Sequence, residues 1–143
     1  MKRIKRIRKE RTKRLVKINR LHDIVWGYMS RYVRLRDESL GCITCKAPVS
    51  YEEGQAGHLW HGANMDFLHA NINKQCVRCN KFLHGNTGVY VLEVDKKWGS
   101  GTAERLLAEK NVMRKYSREE LEDIKQNLEN RIAQLMAEKV LGE

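Results

Sequence analysis

AGHLWHGANMDFLHANINKQCVRCNKFLHGN, residues 56–86, decides how this chain folds. Near its end stands Cys76-Val-Arg-Cys79, and 30 residues before that pair stands another, Cys42-Ile-Thr-Cys45. Two thiolates at CxxC spacing can bend around one ion, and two such knuckles supply the four sulfurs of a closed, tetrahedral zinc site. Cys42, Cys45, Cys76 and Cys79 are all the cysteines the chain has, so none is left over. A thioredoxin-like redox pair is the rival for either CxxC alone, but no βαβ pattern surrounds them. The whole of 41–86 is rich in Gly, Asn, His and Cys and holds the one proline, Pro48. Such a segment buries too little apolar surface to stand alone, and a structural Zn²⁺ is the staple it requires.

Helices are expected on both sides. Residues 1–36 read as one or two long helices, with Ile4, Ile7, Leu15, Ile18, Leu21 and Val25 recurring at three- and four-residue steps. A short strand is expected near Gln55–Trp60. Residues 87–99 suit a helix through Tyr90, Val94 and Trp98, although Val89 and Val91 also suit a strand. Thr102 is placed to cap a short helix over Ala103–Lys110, and Ser117 with Glu120 forms a capping box. The helix it opens should run to about Leu141, lined by Leu121, Ile124, Leu128, Ile132, Leu135 and Val140, with Gly142 ending it. The expected class is α+β, mainly helical: a small zinc-clamped core (41–99) between a basic helical arm (1–40) and C-terminal helices (100–143).

The charge is concentrated. The chain has 143 residues and a net charge of +10, and residues 1–40 hold 14 basic and 4 acidic side chains. The remainder is balanced, with 14 of each. A block of this kind points to a polyanion, most often nucleic acid. Lys2, Arg3, Lys5, Arg6, Arg8, Lys9, Lys13, Arg14 and Lys17 are the expected phosphate contacts, with Lys81 added from the central segment, where Lys74 and Arg78 are further options. No apolar run approaches the ~20 residues of a membrane span, and no secretory signal follows the basic start. A bacterial or phage protein in a reducing cytosol is the simplest reading, and it favours metal over disulfides.

Gly57-His58-Leu59-Trp60, then Asn71 ahead of the second knuckle, then Asn80 directly after Cys79, give the order His, Asn, CxxC-Asn. That order resembles the HNH, or ββα-metal, nuclease superfamily, and the four-cysteine version is similar to endonuclease VII-type junction resolvases. More closely, AGHLW, MDF, NINKQCVRCNKFLHGN and Tyr90 resemble the NinG (Rap) recombination endonucleases of lambda-type phages across residues 40–110. The resemblance implies a metal-dependent DNA endonuclease cutting branched recombination intermediates such as Holliday junctions or D-loops. It implies that His58 is the general base, that Asn71 ties the loop and orients the histidine, and that Asn80 offers its carbonyl oxygen to a catalytic Mg²⁺ or Mn²⁺. Such chemistry suits an imidazole near neutral pH and a hard divalent ion on the phosphate. Paired cuts in a branched substrate make a homodimer plausible, with the 118–141 helix as the candidate interface.

One departure stands out. Many HNH nucleases carry a metal-binding acidic residue just before the first His, and here that position is Gly57. A second ligand would then come from His61, Asp66, His69 or His84. Each residue also has a plainer reading. His58 can be structural, Asn71 and Asn80 can serve turns or caps, and Trp26, Trp60 and Trp98 can fill the core. A non-catalytic zinc-ribbon that binds nucleic acid is the alternative, using the cysteines and the arm but neither His58 nor Asn80.

Overall fold

A computed structural model describes residues 1–142. Helix α1 runs unbroken from Lys2 to Arg36, passing Gly27, which faces open space. After the first cysteine pair come strand β1 (Gln55–His58) and strand β2 (Ile72–Gln75). They pair antiparallel, Gln55 opposite Gln75 and His58 opposite Ile72. A wide π-helical turn over Arg78–Phe82 carries the second knuckle into α2 (Thr87–Trp98), α3 (Thr102–Lys110) and α4 (Arg118–Leu141). Among the described residues no helix is long and apolar enough to cross a membrane.

Two apolar clusters hold these elements. Val25, Met29, Tyr32 and Val33 of α1 meet Leu121, Leu128 and Ile132 of α4, with Phe67 and Ile72 closing the end toward the sheet. Ile43, Leu59, Met65, Tyr90, Val94, Ala103 and Leu106 form the second, under the loop between the strands. The arm, the stapled segment and the last helix therefore share one interior. Most of the α4 stripe, Leu121, Leu128 and Ile132 with Ile124 and Leu135, packs on α1 within the same chain, and its far end at Val140 is open.

The α1 stripe behaves differently along its length. Ile18 and Leu21 pack against the first cluster, but Ile4, Ile7 and Leu15 are half or more exposed. Every residue before Ile18 is exposed, so roughly 24 Å of helix projects from the body, at 1.5 Å per residue. The far end of α4 does likewise: Val140, expected on the packed stripe, is exposed.

Three local expectations need correction. Strand β1 stops at His58, because the Leu59 and Trp60 N–H groups turn away to the Asn71 backbone and side chain. Thr102 lies inside α3 and donates to Gly99 O; the donors at the helix start are taken instead by Asp95 of α2, which accepts from Gly101 N and Ala103 N. Trp98 lies at the surface, its Nε1–H donating to Asn73 Oδ1. The capping box is present in both directions, Glu120 N to Ser117 Oγ at 3.1 Å and Ser117 N to Glu120 Oε2 at 2.8 Å.

The end of α1 is pinned to the sheet by a buried ionic knot. Arg36 pairs with Asp37 and also donates to His69 O and Ile72 O. Lys97 of α2 reaches the same carboxylate, and Asp37 in turn accepts from Lys74 N. Burial opposes the Asp37 charge, but Arg36 and Lys97 outweigh it and hold the carboxyl below its ordinary 3.8.

Candidate active site and metal centre

The four Sγ atoms of Cys42, Cys45, Cys76 and Cys79 all lie within 4.8 Å of one another, and no disulfide joins them. Cys45 and Cys76 are 3.7 Å apart. A tetrahedron with Zn–S bonds of 2.3 Å has edges of roughly 3.8 Å, so the cluster can hold a metal ion such as zinc. Donors already converge on the sulfurs: Thr44 Oγ1 on Cys42, Cys79 N on Cys76, and Asn86 Nδ2 on Cys79. Burial disfavours a thiolate at Cys42, yet Thr44 and nearby N–H groups bring its pKa down to about 6. Cys45 is favoured as thiolate by the Ala47 N–H, but burial and three crowding thiols push it up to about 12. Four sulfurs packed this closely cannot all be anions without a cation among them. The first knuckle is closed by backbone bonds, Cys42 N to Ala47 O and Lys46 N to Cys42 O. Gly41 is required there, because a Cβ would come within 2.8 Å of the Lys46 and Ala47 carbonyl oxygens.

On the other side of the sheet the last residue of β1 presents His58 toward α1. Its ring lies against Trp26 at 4.7 Å and against His61 at 5.0 Å, both nearly parallel. Its Nε2–H donates to Asp66 Oδ1 at 2.8 Å. Nδ1 of the ring has no hydrogen-bond partner among the described residues, and the side chain keeps 14% of its surface exposed. The second oxygen of Asp66 accepts from His22 Nε2 of α1 at 2.7 Å. Burial alone would raise the Asp66 pKa, but hydrogen bonds from His58 and His22 hold it below the usual carboxylate range. Asp66 is thus a lasting anion between two imidazoles, and it keeps the proton of His58 on Nε2.

Asn71 is fully buried and ties the loop between the strands. Its Oδ1 accepts from Trp60 N, and its Nδ2 donates to Trp60 O and Met65 O. It fixes the segment that delivers Asp66 and makes no hydrogen bond to His58. Tyr90, wholly buried, donates from its hydroxyl to Gly57 O at 2.7 Å and so anchors the residue before His58. Asn80, inside the π turn, donates from Nδ2 to Gln55 Oε1 at 2.8 Å and directs its Oδ1 at Gly57. The His58 ring and the Asn80 amide oxygen thus lie at neighbouring positions of β1 but on different sides of it, His58 against α1 and Asn80 against Gly57, and among the described residues no hydrogen bond joins them.

The other expected ligands are dispersed. His61 is exposed and stacked on His58; burial and the charges of His58 and Lys110 favour its neutral form. His69 is set among Arg36, Arg131 and Tyr32, and burial with the two arginines depresses its pKa to about 4. His84 sits exposed in the turn after the π segment. Asp66 is engaged by its two histidines. Lys74 is buried, and its ammonium donates to Glu38 O and Val49 O, so it is closed to phosphates. Lys81 and Arg78 are exposed beside Asn80. Sequence reasoning missed His22. The available signal was its spacing of one turn from Trp26, which places both on one face of α1.

The model of the bacteriophage lambda NinG protein family matches this chain over residues 1–138. The chain belongs to the NinG family. The match takes in both flanking helices as well as the central motif. The NinG protein of Escherichia phage lambda is 30% identical over 110 residues, which is 75% of this chain and 53% of that protein. Those of Escherichia phage 933W and Enterobacteria phage VT2-Sa are also 30% identical over 110 residues, covering 54% of their length. The chain spans about half the length of these NinG relatives. No solved structure matches it.

Proposed function

We propose that this NinG-family chain is a metal-dependent DNA endonuclease of the HNH type, hydrolysing phosphodiester bonds in branched recombination intermediates. The observation that carries the reading is the His58–Asp66 pair at 2.8 Å, made through Nε2 and leaving Nδ1 without a hydrogen-bond partner among the described residues. An ionised carboxylate on Nε2 leaves a lone pair on Nδ1, the form a general base needs, and stabilises the imidazolium formed when a water gives up its proton. His22 supports that carboxylate from α1, and Asn71 fixes the loop that carries it. The non-catalytic zinc-ribbon reading needs the cysteines and the arm but neither His58 nor the carboxylate it shares with His22.

A Mg²⁺ or Mn²⁺ on the scissile phosphate would supply charge stabilisation and help the leaving oxygen depart. The amide oxygen of Asn80 fits such an ion, being a hard ligand with its own N–H₂ turned away toward Gln55. The projecting half of α1 carries Lys2, Arg3, Lys5, Arg6, Arg8, Lys9, Lys13, Arg14 and Lys17 in the open, suited to backbone phosphates without base reading. If paired cuts need a second copy, the part of α4 left open to hold it is the far end, at Met136, Val140 and Leu141.

Cleavage of a four-way junction, a flap and a linear duplex, with and without Mg²⁺ or Mn²⁺, tests the proposal. Ion-dependent cutting of the branched substrates, lost in His58→Ala with DNA binding kept, is the expected result. No cutting of any substrate by zinc-loaded wild type would replace it with the non-catalytic zinc-ribbon reading.

A further inference from the structure

Resting on that nuclease reading, we propose that Gln75 binds the same divalent cation as Asn80, its Oε1 standing in for the acidic side chain that position 57 lacks. Gln75 closes β2 and is completely buried. Its Nε2 donates to Thr44 Oγ1 at 3.2 Å and to Gly85 O at 2.9 Å. A backbone carbonyl only accepts, so the amide orientation is determined and Oε1 must point the other way. There it meets no donor: among the described residues it is the buried side-chain polar atom without a hydrogen-bond partner. Buried acceptors are seldom left so in folded proteins, and an unplaced ion is one of the few reasons they are.

The direction of that oxygen is informative. A Cβ built on Gly57 would lie 2.0 Å from Gln75 Oε1 and 3.1 Å from Asn80 Oδ1. Both amide oxygens therefore converge on the space a side chain at 57 would fill. Each has its N–H₂ group committed elsewhere, Gln75 to Thr44 and Gly85, Asn80 to Gln55. Two amide oxygens that converge beside Gly57 with both N–H₂ groups turned away can share a cation lying beyond the Gly57 Cα, and hard oxygens suit Mg²⁺ or Mn²⁺. Glycine at 57 and glutamine at 75 are alternatives to a carboxylate at 57, because the two side chains cannot share the volume. Both ligands are neutral, so the balancing charge must come from the phosphodiester. Ion and DNA consequently bind together, each tightening the other by the same factor.

Mn²⁺ binding, read from the free-ion electron paramagnetic resonance signal, tests this on the zinc-loaded full chain. A His58→Ala parent keeps the DNA junction uncut. The parent should bind one Mn²⁺ more tightly with the junction than without it. Gln75→Met, checked for zinc content and circular dichroism, should weaken that binding on the order of 10- to 100-fold. Because Met also loses the bonds to Thr44 and Gly85, a second variant decides independently. Gly57→Asp combined with Gln75→Ala puts a carboxylate into the vacated space and should bind Mn²⁺ more tightly than the parent even without DNA. Unchanged Mn²⁺ affinity in folded Gln75→Met, or no gain in the exchange variant, overturns the role of Gln75, leaving Oε1 a weak acceptor of the Gly57 Cα–H. If that happens while the parent still binds Mn²⁺ on DNA, the nuclease reading stands. If the parent binds none and wild type cuts nothing, both fall.

Discussion

Asp66 reaches His22 and His58 with its two oxygens, at 2.7 and 2.8 Å, and what it contributes is charge as much as position. Asp66→Asn keeps the shape but can offer Nε2 an N–H instead of an acceptor, which favours the wrong tautomer. We expect cleavage to fall by about 10²- to 10⁴-fold with zinc content unchanged, measured as single-turnover rate and metal stoichiometry. Wild-type rates in Asp66→Asn would mean the pair only packs. His69 makes a different prediction. It is neutral when folded down to about pH 4, whereas an unfolded histidine takes a proton near 6.5. The unfolded chain binds more protons in that window, so stability should fall as pH drops from 6.5 toward 4, by on the order of 2 kcal/mol once solvent screening of the partly exposed ring is allowed for. Urea denaturation of wild type and His69→Gln across that range checks it, with the variant showing the flatter slope. Of these groups His58 was legible in the sequence, because its motif is local. The partnership with His22 was not, because it joins residues 44 apart through the packing of α1 on the strand loop.

Helices and knuckles depend on neighbours that their own segments do not name. Thr102 reads as a cap for α3, yet Asp95, on the preceding helix, takes the donors because the Gly99–Gly101 turn brings α2 back over that end. Asp95→Ala should lower the midpoint in thermal or urea denaturation, and Thr102→Ala should not reproduce that cap loss. The metal centre was readable, since CxxC spacing dictates it; the four sulfurs close to within 4.8 Å as that spacing demands. Chelation of the ion, or Cys76→Ser, should unfold the 41–86 segment, because metal binding here is folding energy. Loss of near-ultraviolet dichroism from Trp60, recovered on adding Zn²⁺, is the expected signature. Periodicity alone could not separate the two halves of α1: Ile7 and Val25 belong to the same stripe, but only Val25 has α4 to cover it.

At the scale of the molecule, a compact body with a shared interior carries a bare cationic rod. Residues 1–17 are exposed throughout and belong to neither apolar cluster. Removal of those residues should leave the melting temperature nearly unchanged while weakening DNA binding and flattening its dependence on salt, as expected when phosphate contacts are deleted. Acid should act on the body instead. Asp37 and Asp66 are both held below their ordinary carboxylate values, so they stabilise the fold above about pH 4, and that contribution is lost as pH falls through the folded pKa. The overall class was legible from charge, cysteine spacing and helical periodicity. Which surfaces meet was not, because α4 closes on α1 across some 90 residues of chain.

The central claim is that the imidazole of His58 accepts a proton during phosphodiester hydrolysis, and chemical rescue tests it most directly. The single-turnover rate of zinc-loaded His58→Gly on a four-way junction with Mg²⁺ should be near background and should rise with added imidazole, in proportion to its neutral form. A His58→Gly protein that cuts at the wild-type rate without imidazole would contradict the account.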